Sequence, residues 1–154
     1  MEDATQIIPR LWLGNMRAAQ NRRAIQHHGI TVVVNCAAEL PCSGIPEILY
    51  QYRVPVLDNL QSQELVQMTG EIKRMMPIIY WHHQMGHSIL VHCAMGAQRS
   101  AIVVLAFLCH YYGLSPRQAY DHIKRARPIA FMPRMNFKPS FCALFGPMAC
   151  AQLP

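Results

Sequence analysis

Residues 87–112, HSILVHCAMGAQRSAIVVLAFLCHYY, decide the fold of this chain. The stretch opens with a short apolar run, which is typical of a strand covered on both faces of a sheet. A loop containing Gly96 follows, and the next apolar run is typical of a helix buried on most sides. A strand, a tight loop and a helix in this order gather backbone N–H groups and a helix N-terminus around one point. The loop is therefore predicted to bind phosphate.

The segments around this stretch predict a layered α/β fold. Further strands are predicted in IIPRLWLGN at 7–15, ITVVVNC at 30–36 and YRVPVLDN at 52–59. Helices are predicted at 16–28, at 62–85 with a kink at Pro77, from Ser115-Pro116 onward, and at 140–145. Strands that alternate with helices predict a three-layer sandwich, with a central, largely parallel sheet flanked by helices. The length of 154 residues predicts one domain, 1–154.

The side chains of the loop fit nucleophilic attack on phosphorus. Cys93 begins the loop, where the groups that attract phosphate also stabilise a thiolate. Arg99 follows after five residues, and its planar fork can hold two phosphate oxygens in a way that Lys cannot. Ser100 is placed to donate a hydrogen bond to the Cys93 sulfur, and Gly96 supplies a backbone conformation that other residues resist. His92 is interpreted as ordering the loop through backbone hydrogen bonds.

A carboxylic acid is needed to protonate the leaving oxygen. The chain has three aspartates, Asp3, Asp58 and Asp121. Asp3 is expected in a frayed terminus and Asp121 inside a helix, whereas Asp58 follows a strand at the start of a loop. Asp58 is therefore the candidate acid, although a loop Asp also commonly forms an Asx-turn.

Composition favours anionic ligands without identifying one. The formal net charge is +6 and the pI is near 9.2, but the basic residues are scattered, so no nucleic-acid partner is expected. The six cysteines form no CxxC pair, which predicts a reduced, intracellular and cytoplasmic chain, with access to the nucleus possible. No secretory leader, no membrane insertion and no metal site are expected.

These segments resemble the cysteine-based protein tyrosine phosphatases, in particular the small atypical dual-specificity branch. VHCAMGAQRS at 91–100 is similar to the signature His-Cys-x5-Arg-Ser/Thr, and VPVLDN at 54–59 to the segment that bears the general acid. The opening IIPRLWLGN, the strand GITVVVNC and the helix SPRQAYDHIKRARP also match, as do Phe137 and Leu144 in the tail.

The resemblance implies a metal-independent and cofactor-independent hydrolysis of phosphorylated proteins. It implies Cys93 as nucleophile, Arg99 as phosphate clamp, Asp58 as acid and base, and Ser100 as the hydroxyl that assists thiolate release. Substrates would be phosphotyrosine and phosphoserine or phosphothreonine, cleaved through a phosphocysteine. The phosphate-binding residues would be Ala94, Met95, Gly96, Ala97, Gln98 and Arg99. Three residues depart from the usual pattern, since Met95 and Gln98 replace smaller residues and Asn136 replaces a glycine.

Other interpretations stay open at this stage. An RNA 5′-phosphatase or a phosphoinositide phosphatase uses a similar loop, although those activities favour basic residues that 94–98 lack. A non-enzymatic phosphoprotein-binding module would use the same loop without turnover. Cys36, Cys109 and Cys142 are expected to be buried packing residues. Cys36 or Cys42 is also a conceivable oxidation partner of Cys93, and His27-His28 and His82-His83 are expected at solvated helix ends.

Overall fold

The computed structural model describes residues 2–154. The strands are β1 Ala4–Ile8, β2 Leu11–Gly14, β3 Ile30–Asn35, β4 Tyr50–Arg53 and β5 Ser88–His92. The helices are α1 Arg22–His28, α2 Ser62–Gln84, α3 Arg99–Tyr112, α4 Pro116–Ala126 and α5 Lys138–Cys150, and a short 3₁₀ helix spans Ala18–Gln20.

The five strands form one sheet in the order β1-β2-β5-β3-β4. Only β1 and β2 pair in antiparallel fashion, while β2, β5, β3 and β4 run parallel to one another. The central strands β3 and β5 are buried along most of their length, as their unbroken apolar sequences require. The predicted central, largely parallel sheet is confirmed.

Side chains that alternate along the central strands face two separate cores. Val32, Val34, Ile89 and Val91 pack in the larger core with residues of α2, α3, α4 and α5. Val33 and Leu90 point the other way and pack with residues of the 3₁₀ helix and α1. Helices therefore cover both faces of the sheet, and the three-layer sandwich is also confirmed.

The N-terminal elements differ from the sequence prediction. The segment read as one strand at 7–15 is a hairpin, because the chain reverses at Pro9-Arg10, where Arg10 has a φ of 67°. Pro9 cannot donate to a sheet ladder, which favours a turn. The helix predicted at 16–28 is interrupted at Asn21, whose side chain accepts a hydrogen bond from Ala24 N and caps α1.

Later elements agree more closely with the prediction. Helix α2 nearly matches the predicted range and continues through Pro77. Strand β4 ends at Arg53, earlier than predicted, and the chain around Pro55 is a loop. Helix α5 is longer than the predicted 140–145 and bends at Gly146, which has a φ of 87°. No helix within residues 2–154 is long and apolar enough to cross a membrane.

Two expectations about surface chemistry are wrong. His82 and His83 are buried, and their rings bond to distant groups, His82 to the Tyr52 hydroxyl and His83 to the Pro9 carbonyl. Cys142 is bonded in a disulfide to Cys150, so the expectation of a fully reduced chain fails there.

The bend at Gly146 explains that disulfide, since it brings the two Cα atoms to 4.9 Å, within disulfide range. The other four cysteines are free, with Cys36 buried as expected and Cys109 only half-buried. The cytoplasmic location stays a prediction.

Candidate active site

The predicted phosphate loop lies at the end of the central strand β5 and leads into α3. Cys93 is buried with 2% of its surface exposed, and residues 96–108 are buried as well. Gly96 has a φ of 68°, and a Cβ there would lie 2.5 Å from the Gly14 carbonyl oxygen and 2.8 Å from the Arg127 guanidinium. Glycine is therefore required for both the backbone conformation and the space.

The backbone carbonyls of residues 94–97 all bond to groups outside the loop. The donors are the N–H of Met16 to the first carbonyl, the Arg127 guanidinium to the two central ones, and the N–H of Phe131 to the last. The donor–acceptor distances lie between 2.7 and 3.1 Å. The rest of the fold thus holds the outer side of the loop.

The orientation of these carbonyls fixes the orientation of the amides. In a trans peptide the N–H points opposite to the C=O, so outward carbonyls turn the N–H groups of residues 95–98 toward the centre of the loop. The N–H groups of 94–98 donate to no acceptor within residues 2–154. Together with the N-terminus of α3, they form the concave set of donors that binds oxyanions.

Cys93 and Ser100 lie in contact at the base of this loop. Cys93 Sγ and Ser100 Oγ are 3.0 Å apart, and both side chains are buried. This is the contact that the sequence predicted for these two residues. A hydroxyl at this distance can donate to a thiolate and stabilise it as a leaving group.

Arg99 presents one edge of its guanidinium to Glu39 and leaves another edge free. Its Nη1 and Nη2 donate to the two Glu39 carboxylate oxygens at 2.7 and 2.9 Å, and Nη1 also donates to the Val56 carbonyl at 2.9 Å. One N–H of Nη2 and the Nε–H remain, side by side. Among residues 2–154, Arg99 Nε is the one buried side-chain nitrogen or oxygen without a hydrogen-bond partner. Two parallel N–H groups of this kind fit a phosphate.

Charges around Arg99 keep it protonated. Burial by itself lowers the pKa of Arg99, but the hydrogen bond with Glu39 and the charges of Cys93, Glu39 and Asp58 outweigh burial and raise it. In turn, the hydrogen bond from Arg99 lowers the pKa of Glu39. The pair is thus ionised at neutral pH.

His92 lies behind the loop and is neutral at physiological pH. It is 2% exposed, and its Nδ1 lies 3.4 Å from the Cys93 carbonyl oxygen. Burial lowers the pKa of His92 to about 4, against the opposing effect of that hydrogen bond. This contact is compatible with the predicted ordering role, and it is long for a hydrogen bond.

Asp58 lies across a pocket from the phosphate loop. The pocket has a volume of about 260 Å³, and its lining includes Asp58, Cys93, Arg99, Met132 and Asn136. Asp58 is exposed, and its Oδ1 accepts a hydrogen bond of 3.0 Å from Asn136 Nδ2. The preceding residue is anchored, because Leu57 N donates to Glu64 Oε1 at 2.7 Å.

The other two aspartates lie away from this pocket. Asp3 is less frayed than expected, because it bonds to Asn15 through both its backbone and its carboxylate. Asp121 is in α4, as predicted, and pairs with Arg117 at the surface. A larger cavity of about 740 Å³ adjoins Asp3 and His92 on the α1 side, but Cys93 and Arg99 do not line it.

Sequence reasoning missed residues that come to the site from distant segments. The sequence assigns no role to Glu39 or Arg127, it marks Asn136 only as a departure from the family pattern, and it predicts phosphate binding by Gln98 but not the bonds of its side chain to the loop at 132–136. Each of these residues contributes to the site through a hydrogen bond to a residue far away in the chain, and local sequence patterns do not predict such bonds. No group of three or more His, Cys, Asp or Glu within residues 2–154 is arranged to hold a metal.

Comparison with known proteins identifies the family. The model of the family described as dual specificity phosphatase, catalytic domain, matches residues 11–145. The chain belongs to the dual-specificity phosphatases. Human dual specificity phosphatase 28 is 32% identical over 125 residues, which cover 81% of this chain and 68% of that protein. The crystal structure of human DUSP28 superposes with a TM-score of 0.81 at 28% identity, covering 93% of this chain and 93% of that one.

Two further dual-specificity phosphatases show how the matched region sits in its relatives. A mouse dual specificity phosphatase structure, complexed with zinc tungstate, has a TM-score of 0.77 at 30% identity and covers 92% of this chain and 85% of that one. Human dual specificity protein phosphatase 2 is 31% identical over 86% of this chain, but the match spans only 40% of that protein. The chain thus spans less than half the length of some of the curated relatives it matches.

Proposed function

We propose that this protein is a dual-specificity protein phosphatase that hydrolyses phosphotyrosine, and phosphoserine or phosphothreonine, through a phosphocysteine at Cys93. The observation that carries the proposal is the loop at 93–99, where inward amides and the free edge of Arg99 surround the space beside the Cys93 sulfur. The mouse relative complexed with zinc tungstate supports an oxyanion-binding role, because tungstate has the tetrahedral shape of phosphate.

In the first step, the Cys93 thiolate attacks phosphorus and the S–P bond forms. The bond between phosphorus and the leaving oxygen breaks, and that oxygen takes a proton from Asp58. The amides of 95–98 and the Nε and Nη2 of Arg99 bind the phosphoryl oxygens, where the charge of the transition state is spread. Arg99 is ionised and fixed by Glu39, so it needs little reorganisation during the reaction.

In the second step, water cleaves the phosphocysteine. The Asp58 carboxylate takes a proton from the water, whose oxygen bonds to phosphorus, and the S–P bond breaks. Ser100 Oγ, at 3.0 Å from the sulfur, donates a hydrogen bond to the departing thiolate. Inorganic phosphate is released and the starting state is restored.

The rim of the pocket favours a protein substrate over RNA or a phosphoinositide. Met95 and Met132 line the pocket and are 61% and 56% exposed, and residues 94–98 carry no charged side chain. A substrate with several phosphates would need additional cations beside the loop. An apolar rim instead suits the side chain that bears a single phosphate and its neighbours in a peptide.

A substrate panel tests the proposal. Phosphate release is measured from a phosphotyrosine peptide, a phosphothreonine peptide, a 5′-triphosphorylated RNA and a phosphoinositide, with the wild-type protein and with Cys93→Ser. We expect turnover of both peptides by the wild type, and a loss of at least about 10⁴-fold in the variant. Preference for the RNA or the lipid would contradict the substrate class, and normal turnover by Cys93→Ser would contradict the mechanism.

A further inference from the structure

The Asp58 carboxylate is held by a side chain from a distant loop. Asn136 Nδ2 donates to Asp58 Oδ1 at 3.0 Å, and no other side chain within residues 2–154 bonds to that carboxylate. Both residues line the pocket that contains Cys93 and Arg99. The backbone before Asp58 is fixed through Val56 and Leu57, but those bonds leave the carboxylate free to rotate. Asn136 therefore sets the direction in which the carboxylate points.

The position of Asn136 is set in turn by Gln98, the last residue before α3. The Gln98 side-chain amide donates to the carbonyls of Met132 and Arg134 at 2.9 and 2.7 Å, and its Oε1 accepts from Asn136 N at 3.0 Å. Gln98 is 6% exposed, so these bonds are shielded from water. One buried amide thus ties the loop at 132–136 to the phosphate loop.

We propose that Asn136, held by Gln98, is a positioning residue that presents Asp58 for proton transfer to the leaving oxygen. This inference rests on the proposed phosphatase function. A carboxyl oxygen that accepts a hydrogen bond from an amide is the one that does not carry the proton, so Asn136 assigns the acidic proton to Asp58 Oδ2. That proton passes to the leaving oxygen as the bond to phosphorus breaks, and Oδ2 later takes a proton from the attacking water.

The dependence of rate on the leaving group distinguishes this role from general support of the fold. A leaving oxygen of low basicity departs with little help from an acid, whereas a basic one needs the proton. Kinetics are measured on a series of aryl phosphates of increasing leaving-group pKa. For Asn136→Ala we expect kcat/KM, which reports only the steps up to departure of the leaving group, to fall about ten-fold on the most basic leaving group and less than about two-fold on the least basic.

A double-mutant cycle tests whether Asn136 acts through Asp58. In an Asp58→Asn background the acid is gone, so Asn136→Ala should lower kcat/KM no further. Gln98→Met keeps the approximate size of the side chain but loses both the N–H donors and the Oε1 acceptor that hold the loop at 132–136, and it should give the same leaving-group dependence as Asn136→Ala. Gln67→Ala is the matched control, because it removes another amide-to-carboxylate hydrogen bond, to Glu71 on the exposed face of α2. It should leave all rates unchanged.

Two results would overturn the inference. One is an equal loss on all aryl phosphates in Asn136→Ala, which would indicate a structural role. The other is the same loss in the Asp58→Asn background as in the wild type. Failure of the proposed function itself looks different, because the unmodified protein would then show no turnover that depends on Cys93.

Discussion

The two walls of the candidate active site differ in how they are held. The phosphate wall, residues 93–99, is mostly buried, and its carbonyls at 94–97 bond to the surrounding fold. The acid wall, residues 56–60 together with 132–136, is mostly exposed and depends on a few side-chain bonds from Gln98, Asn136 and Glu64. Changes in the phosphate wall should therefore affect binding, chemistry and stability together. Changes in the acid wall should affect mainly proton transfer.

Replacing the clamp of the phosphate wall should have the largest effect. Arg99→Lys removes the two parallel N–H groups that are free to bind a phosphate, and an ammonium could not bond to Glu39, Val56 and a phosphate in the same geometry. We expect kcat/KM on a phosphotyrosine peptide to fall by at least about 10³-fold. Arg23→Lys, at an exposed arginine of α1, is the control and should leave kcat/KM unchanged. A loss of kcat/KM below about ten-fold in Arg99→Lys would show that Arg99 is not the residue that holds the phosphate.

Arg127 supports the same wall from behind and should contribute strongly to stability. Its guanidinium donates to the carbonyls of Met95 and Gly96, to the Glu2 carbonyl and to the Thr5 hydroxyl, and the residue is 1% exposed. Arg127→Met leaves these acceptors buried without a donor, so the free energy of unfolding should fall by about 4 kcal/mol. Urea unfolding measures this, with Arg125→Met, at an exposed position in the last turn of α4, as control. Equal losses in both variants would contradict the assigned role.

The contrast between the walls also explains what the sequence could predict. The phosphate wall is contiguous in the chain, so the order of Cys93, Gly96, Arg99 and Ser100 predicts a tight loop between β5 and α3, and the phosphate-binding role of that loop stays a prediction. The contact between the Cys93 sulfur and the Ser100 hydroxyl was found where the motif placed it. The buried strands and helices could also be predicted from the sequence, because a long run of apolar residues is stable only where it is covered by the rest of the fold.

The remaining parts of the site depend on long-range bonds. Glu39 bonds to Arg99 across 60 residues, Arg127 to Gly96 across 31, and Asn136 to Asp58 across 78. Such pairs cannot be predicted from the spacing of apolar residues or from short sequence motifs. Buried His82 and His83 were missed for the same reason, since their partners, Tyr52 and Pro9, lie in other elements.

His92, which lies behind the phosphate wall, makes the stability of the folded protein dependent on pH. Its pKa of about 4 in the folded protein lies below the ordinary value of 6.5, so between these values the unfolded chain binds a proton that the folded chain does not. The free energy of unfolding should therefore be unaffected above pH 6.5 and should fall as the pH drops toward 4, by about 3 kcal/mol in all.

Unfolding measured between pH 7 and 4 tests this effect. Burial lowers the pKa of His82 and His83 as well, so these residues add to the slope of the wild type. The contribution of His92 is isolated by comparison with His92→Gln, which should lose less stability over the same interval. Identical pH slopes in the two proteins would contradict the buried neutral state of His92.

The smallest effect is expected at Glu39, which connects the two walls. The Arg99 nitrogen that bonds to Glu39 Oε1 also bonds to the carbonyl of Val56, two residues before Asp58. Glu39→Gln keeps the shape and one acceptor but removes the charge, so Arg99 should be held less firmly against both walls. We expect kcat/KM on a phosphotyrosine peptide to fall about ten-fold, far less than in Arg99→Lys, because the arginine itself remains.

Glu47→Gln is the matched control for Glu39, since Glu47 forms a similar two-point pair with Arg22 on the exposed surface of α1. It should leave turnover unchanged, because an exposed pair adds little stability and this one does not contact the loop. Equal rates for Glu39→Gln and Glu47→Gln would mean that Arg99 is positioned by the loop and Val56 alone. A drop confined to Glu39→Gln would instead show that the phosphate wall, although buried, takes part of its geometry from an exposed carboxylate.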